Sequence, residues 1–199
     1  RLIRRQRQMC IRDSKFPIES ITYVLEDKAY YDVVYKNLPS SVKNSLKNHR
    51  LRVVFKSPRL FLRENQNKFD LAVVYLPDPS NLVINAFFTE DFYSLLKKNL
   101  SPRAVVATRI RSAENFIGQE IRNYGSSVYY TLRSVFPKIV IIPGEINWFL
   151  AADLDSPLTE DPLVLEQRLG EFIPSKFSFK PQAFPSLLLK ERMEFVRSM

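Results

Sequence analysis

Two short apolar runs, Ile139–Ile142 and Ile146–Ala152, are separated only by Pro143-Gly144-Glu145. Such a pair reads as a β-hairpin. Upstream of it, from Ser20, strand-like and helix-like segments alternate. Ile21–Leu25, Leu51–Phe55, Asp70–Tyr75 and Ala104–Thr108 read as strands. A βα alternation of this kind folds as layers of helix against sheet. A hairpin at its end adds antiparallel strands to a sheet that is otherwise parallel. That combination constrains the fold to the α/β class more tightly than the alternation alone.

The helices are placed by caps and apolar spacing. Asp27 is set to cap a helix over Lys28–Asn37, with Ala29, Val33 and Val34 on its apolar face, and Leu38-Pro39 stops it. Val42–His49 reads as a short helix or turn. Pro58–Asn65 reads as a short helix with Leu60, Phe61 and Leu62 inward. Thr89, followed by Glu90 and Asp91, caps a helix to Leu100 whose buried side is Phe92, Leu95, Leu96 and Leu100. Ser101-Pro102 is expected to end it. Ser112 is expected to cap a long helix to Phe136, buried along Phe116, Ile117, Ile121, Val128, Leu132 and Val135, with Gly125 in its middle. Asp161 and Pro162 start a further helix to Leu169, with Gly170 as its C-cap. A Pro- and Phe-rich loop follows over 171–185. Ser186–Met199 reads as one terminal helix. Trp148 and Phe149 are expected to fill the core side and the sheet face of the hairpin. No internal repeat is visible.

With 199 residues, 45% of them apolar, the chain is long enough for a substantial core. No apolar run approaches the length of a membrane span, and no signal peptide is evident. Cys10 is the single cysteine and His49 the single histidine. An internal disulfide, a Cys-based metal site and a His-rich metal site are therefore excluded. His49 lies in the polar stretch KNSLKNHR and reads as solvated. The net charge of +9 invites a nucleic-acid reading, but its distribution opposes one. Residues 1–15 hold six basic residues against Asp13, whereas the rest has 24 bases facing 20 acids. No nucleic-acid partner is expected. Residues 1–17 read as a basic tail. Within it Met9–Ser14, MCIRDS, resembles a recurrent translated adapter scar, so residues 1–14 are expected to be non-native. Glycine occurs only at 118, 125, 144 and 170, so the chain holds no Gly-rich phosphate loop of the usual type.

Chemistry is expected where strands end. Ligands of open α/β sheets bind just past the carboxyl ends of the strands. Asp78 sits there, in the turn Leu76-Pro77-Asp78-Pro79-Ser80, either as a ligand contact or as a turn residue. Glu26 and Asp27 follow the first strand and read first as helix-capping acids. Arg109 and Arg111 follow a later strand and read as solvated cations that would repel a polyamine.

The segments ITYVLEDKAYYDVV, LRVVFKSPRLFLRE, KFDLAVVYLPDPSN, FFTEDFYSLLKKNLSPRAVVA and SVFPKIVIIPGEINWFLAAD together resemble the spermidine synthase (aminopropyltransferase) family, in particular its bacterial membrane-associated-type members. The resemblance spans roughly Ser20–Leu169. It implies a Rossmann-like sheet of the S-adenosylmethionine-methyltransferase type with a closing antiparallel hairpin, lacking the first βα unit. It implies an α/β domain over 18–153 and a helical extension over 154–199. It also implies a transferase of polyamine biosynthesis, moving an aminopropyl group from decarboxylated S-adenosylmethionine to a diamine with no metal or other cofactor required. The partners it implies are a small-molecule amine and a nucleoside donor, in a cytoplasmic protein whose full-length parent is expected to be membrane-associated.

Carried over residue by residue, the family pattern is incomplete. The family's proton-accepting acid falls on Tyr75, and a phenol supplies no negative charge for a diamine in its usual titration range. Asp78 keeps the second acid. Glu26 and Asp27 flank the ribose-binding position, and Ser57 takes the adenine-binding one. Arg103-Ala104 replaces a Gly-Gly pair. Weak or absent activity is therefore expected. The alternatives are a methyltransferase-like enzyme completed by an N-terminal region, and a non-enzymatic basic interaction module. Without a first strand, two strand edges would lack partners, so marginal stability or self-association is expected as well.

Overall fold

The computed structural model describes residues 18–113, 118–171 and 179–198. Expectations for the 1–17 tail, for Phe116 and Ile117 and for much of the Pro- and Phe-rich loop lie outside them. The described chain forms two compact units, one over 18–65 and one over 66–171 with 179–198.

In the first unit, β1 (Ile21–Leu25) pairs in parallel with β2 (Leu51–Phe55), from Ile21 opposite Leu51 to Leu25 opposite Phe55. α1 (Lys28–Lys36) and α2 (Ser40–Leu46) connect them, and α3 (Pro58–Glu64) follows β2. Asp27 caps α1 by accepting the Tyr30 amide at 2.8 Å. Pro58 opens α3, where its fixed φ and missing N–H cost nothing. Of the three apolar residues expected inward on α3, Leu62 is buried and Leu60 is 45% exposed. Seven residues make only two turns, so the buried stripe has room for a single full anchor.

The second unit is a mixed sheet in the order β3-β4-β6-β5. β3 (Phe69–Val74) runs parallel to β4 (Leu100–Arg111), and β6 (Ile146–Ala152) runs antiparallel to both β4 and β5 (Lys138–Ile142). The expected hairpin is thus β5–β6. The Asn147 side chain accepts the Gly144 amide at 3.2 Å and closes its turn. α4 (Leu82–Asn85) and α5 (Glu90–Lys97) lie between β3 and β4, and α6 (Gln119–Val135) precedes β5.

Alternation along the strands gives the sheet two apolar faces. Val106, Thr108, Ile141 and Phe149 are buried on the face where α6 lays down Val128 and Leu132. On the other face, Val140 and Ala152 cluster with Leu158, Leu188 and Met193 from the C-terminal segment. That segment contains α7 (Pro162–Gly170), a 3-10 turn (Pro181–Ala183), α8 (Phe184–Leu187) and α9 (Lys190–Arg197). Lys97 ties α5 to its surroundings: its ammonium donates to the Val135 carbonyl at 3.0 Å and to Asp153 at 2.6 Å, and lies 5.3 Å from the Phe136 ring centre.

Four element boundaries depart from expectation. α5 ends at Lys97, and Leu100 already belongs to β4. Ser101-Pro102 lies inside β4, where the β3–β4 register shifts between Phe69 and Leu71; an irregularity of this kind is where a sheet accepts proline. Ser112 does not cap α6, whose N-cap is Gly118; the Ser112 amide donates instead to the Glu145 carbonyl at 2.8 Å. The terminal helix is broken, because Leu188 leaves helical geometry (φ −114°, ψ 47°) to bury its side chain. A fifth, smaller difference is that Gly170 ends α7 from within, with Glu171 at the C-cap.

Gly125 lies mid-helix in α6 with φ outside the left-handed region. A Cβ there would meet only Ile110 Cδ1, at 3.6 Å, an ordinary contact. Gly125→Ala is therefore expected to raise stability by roughly 0.5–1 kcal/mol, read as a higher denaturation midpoint. A lower midpoint would show that the α6–β4 contact cannot accept a methyl group.

Candidate active site

Each unit presents the carboxyl ends of parallel strands, and the residues singled out from the sequence sit at those ends. In the first unit the Lys56 amide donates to the Leu25 carbonyl at 3.1 Å, so the segments after β1 and β2 leave the sheet side by side. Glu26 and Asp27 follow one strand and Ser57 the other. The Asp27 carboxylate is engaged in capping α1. Glu26 is exposed. Ser57 stands at the N-cap of α3 without a side-chain capping bond. Beside it, Lys56 pairs with Glu64 at 2.5 Å. Exposure of His49 agrees with its reading as a solvated residue.

In the second unit β3 runs into Tyr75 and the proline-bracketed turn. Asp78 accepts the Arg111 amide at 2.7 Å through Oδ1, and its Oδ2 lies 3.7 Å from Arg111 Nε. The carboxylate thereby fastens the turn after β3 to the end of β4. Asn81 then caps α4 by accepting the Ile84 amide at 2.9 Å. Arg111 itself is solvated, its side chain 79% exposed.

Arg109 is not the solvated cation expected of it. It lies directly across from Trp148 in the β4–β6 ladder, on the same sheet face. Tyr75, one step beyond β3, joins that row. Its ring centre is 4.3 Å from the guanidinium carbon and 6.1 Å from the Trp148 ring. Arg109 Nε is fully covered and has no hydrogen-bond partner among the described residues, although the residue keeps part of its surface exposed. Among the described residues, no group of three or more His, Cys, Asp or Glu is placed to hold a metal ion.

The sequence pattern of the spermine/spermidine synthase domain matches residues 9–152. The chain belongs to the spermine/spermidine synthase family. Within it, the chain is similar to a polyamine aminopropyltransferase of Korarchaeum cryptofilum (strain OPF8), 23% identical over 172 residues, covering 83% of this chain and 52% of that protein. A polyamine aminopropyltransferase of Leptospira interrogans is 28% identical over 139 residues, covering 66% of this chain and 26% of that protein. The chain thus spans about half the length of the first of these relatives and about a quarter of the second.

Solved structures agree on the fold. A spermidine synthase in complex with the transition state analogue AdoDATO superposes with a TM-score of 0.72 at 16% identity, over 92% of this chain and 62% of that one. A human methyltransferase-like protein 13 in complex with SAH gives 0.61 at 17%, over 92% and 77%. The fold is therefore the Rossmann-like sheet of spermidine synthases and methyltransferases, ending in the antiparallel β5–β6 hairpin. Among the described residues no helix is long and apolar enough to cross a membrane.

Proposed function

We propose that this chain is part of an aminopropyltransferase that uses decarboxylated S-adenosylmethionine as donor, and that the chain as given transfers to putrescine weakly or not at all. The reaction needs little from the donor. An amine lone pair attacks the propyl carbon bonded to the sulfonium, that C–S bond breaks, and its electrons return to sulfur as a neutral thioether. The difficulty lies with the acceptor, whose amine is protonated in water and must give up a proton before it can attack.

The observation that carries the reading is Tyr75. It occupies the place where the family resemblance puts the proton acceptor, and a guanidinium lies over its ring at 4.3 Å. A carboxylate there would both attract a diamine and take its proton. Tyr75 under Arg109 offers a cationic surface instead. Asp78, the remaining acid of the turn, is held by Arg111. Glu26 and Ser57, at the strand ends of the first unit, are the groups assigned to the donor nucleoside. Asp27 is assigned to α1 through its cap.

The test is product formation from decarboxylated S-adenosylmethionine and putrescine, with spermidine identified by mass. Wild-type chain is expected to stay near background. Tyr75→Asp with Arg109→Gln is expected to raise spermidine formation ten-fold or more, toward the ~10²–10⁴ that a positioned base supplies. Wild-type turnover near ~1 s⁻¹ would overturn the weak-activity reading. No gain in the double variant would overturn the role given to position 75.

A further inference from the structure

Among the described residues, the cation at the carboxyl end of β4, Arg109, has no counter-charge within ion-pair distance. Asp78, the single acid in the turn 75–81, is bound to Arg111. A buried donor left without an acceptor is costly and uncommon in folded proteins. Arg109 Nε is such a donor. Tyr75 lies over the guanidinium, and Trp148 is its cross-strand neighbour. An aromatic ring against one face of a guanidinium strips water from that face and leaves the in-plane N–H groups for an oxyanion. That edge is a planar fork, and a carboxylate matches it with two parallel hydrogen bonds.

We propose that Arg109, stacked on Tyr75 with Trp148 beside it in the β4–β6 ladder, binds the carboxylate of an amino-carboxylate ligand, so that this site selects an acceptor with one amine and one carboxylate rather than a diamine. This rests on the aminopropyltransferase reading for the word acceptor, but the binding itself needs no donor and no turnover. The charge argument runs one way. A diamine brings a second ammonium toward Arg109 and is repelled, whereas a carboxylate in its place gains the pair and satisfies the fork.

The two ligands that separate these cases are putrescine and 5-aminopentanoate, which differ only in exchanging one terminal ammonium for a carboxylate on the same four-methylene chain. Titrated into the full 199-residue chain by calorimetry, 5-aminopentanoate is expected to bind at least ten-fold more tightly than putrescine. Arg109→Gln is expected to lose that binding ten-fold or more, with an unchanged melting temperature. Arg109→Lys, keeping the charge without the fork, is expected to fall between them. The Tyr75→Asp and Arg109→Gln double variant is expected to reverse the preference. Equal or tighter binding of putrescine by wild-type chain would overturn the proposal without recourse to any variant. So would absence of binding by both ligands, or tighter binding of inorganic phosphate than of 5-aminopentanoate. A chain that binds 5-aminopentanoate as described but never consumes decarboxylated S-adenosylmethionine keeps this site and loses the transferase reading.

Discussion

Tyr93→Ala is expected to cost about 3–5 kcal/mol, the range for removing a large aromatic side chain from a core, while Tyr93→Phe is expected to change stability by less than about 1 kcal/mol and to favour the fold if it changes it at all. The residue is fully enclosed on α5, packed edge-on against Phe92. Its hydroxyl is covered and makes no hydrogen bond of normal geometry among the described residues, and the neighbouring Thr108 hydroxyl donates to the Val74 carbonyl. The ring therefore supplies packing, and the oxygen supplies little. Burial pushes the phenol well above its ordinary value of 10.0, and Thr108 opposes that shift only in part. The sign follows from linkage. Above about pH 10 the unfolded chain releases this proton and the folded chain keeps it, so folding weakens as pH rises further. The slope from one such group is up to about 1.4 kcal/mol per pH unit. Denaturant midpoints of wild-type and Tyr93→Phe chains should run parallel below pH 9 and separate above pH 10, with the Phe chain the more stable. Parallel curves throughout would show that Tyr93 titrates as freely when folded as when unfolded.

The second large effect is expected at Leu132. Its side chain is fully buried on α6, the helix covering the face of the sheet that carries Thr108 and Phe149. Leu132→Ala should cost about 2–5 kcal/mol, with the upper end reached if the cavity cannot collapse. Collapse is hindered here because β4, β5 and β6 are locked in one continuous ladder. Leu132→Met, similar in volume, should cost less than about 1.5 kcal/mol. Urea unfolding of the three chains checks both values, and a cost below 1 kcal/mol for the Ala variant would mean that α6 is not a principal cover of the sheet.

Local chemistry made much of this fold legible in advance. Asp27, Thr89 and Asp161 each cap the helix expected of them, since a short acceptor before an apolar period needs no tertiary context to act. The two runs around Pro143-Gly144-Glu145 form the hairpin for a similar reason. Failures came where context overrode punctuation. Ser101-Pro102 reads as a stop, but the shifted β3–β4 register accommodates it and β4 begins earlier. Ser112 reads as a cap, but its amide is taken by Glu145. The expected stripe on α5, Phe92, Leu95, Leu96 and Leu100, omits Tyr93, which is buried beside Phe92 and Leu96, and includes Leu100, which belongs to the next strand.

The candidate site divides in the same way. Tyr75 and Asp78 are contiguous with a recognisable turn, so the sequence alone marks them as candidates. Arg109 reads from the sequence as a solvated cation because its neighbour is defined by register. Trp148 lies 39 positions further along the chain, and only the antiparallel pairing makes them neighbours.

Two adjacent peptide units at the end of β4 hold both borders of the crevice. The Arg111 amide is bonded to Asp78, and the Ser112 amide to the carbonyl of Glu145 in the hairpin turn. These moorings are one Cα step apart, about 3.8 Å. Neither border can swing away on its own without giving up a hydrogen bond at that shared post. An entrance built this way is a fixed frame and not a gate. What passes through it is decided by which side chains the frame holds up, and exchanging one of them rewrites the choice without moving the frame.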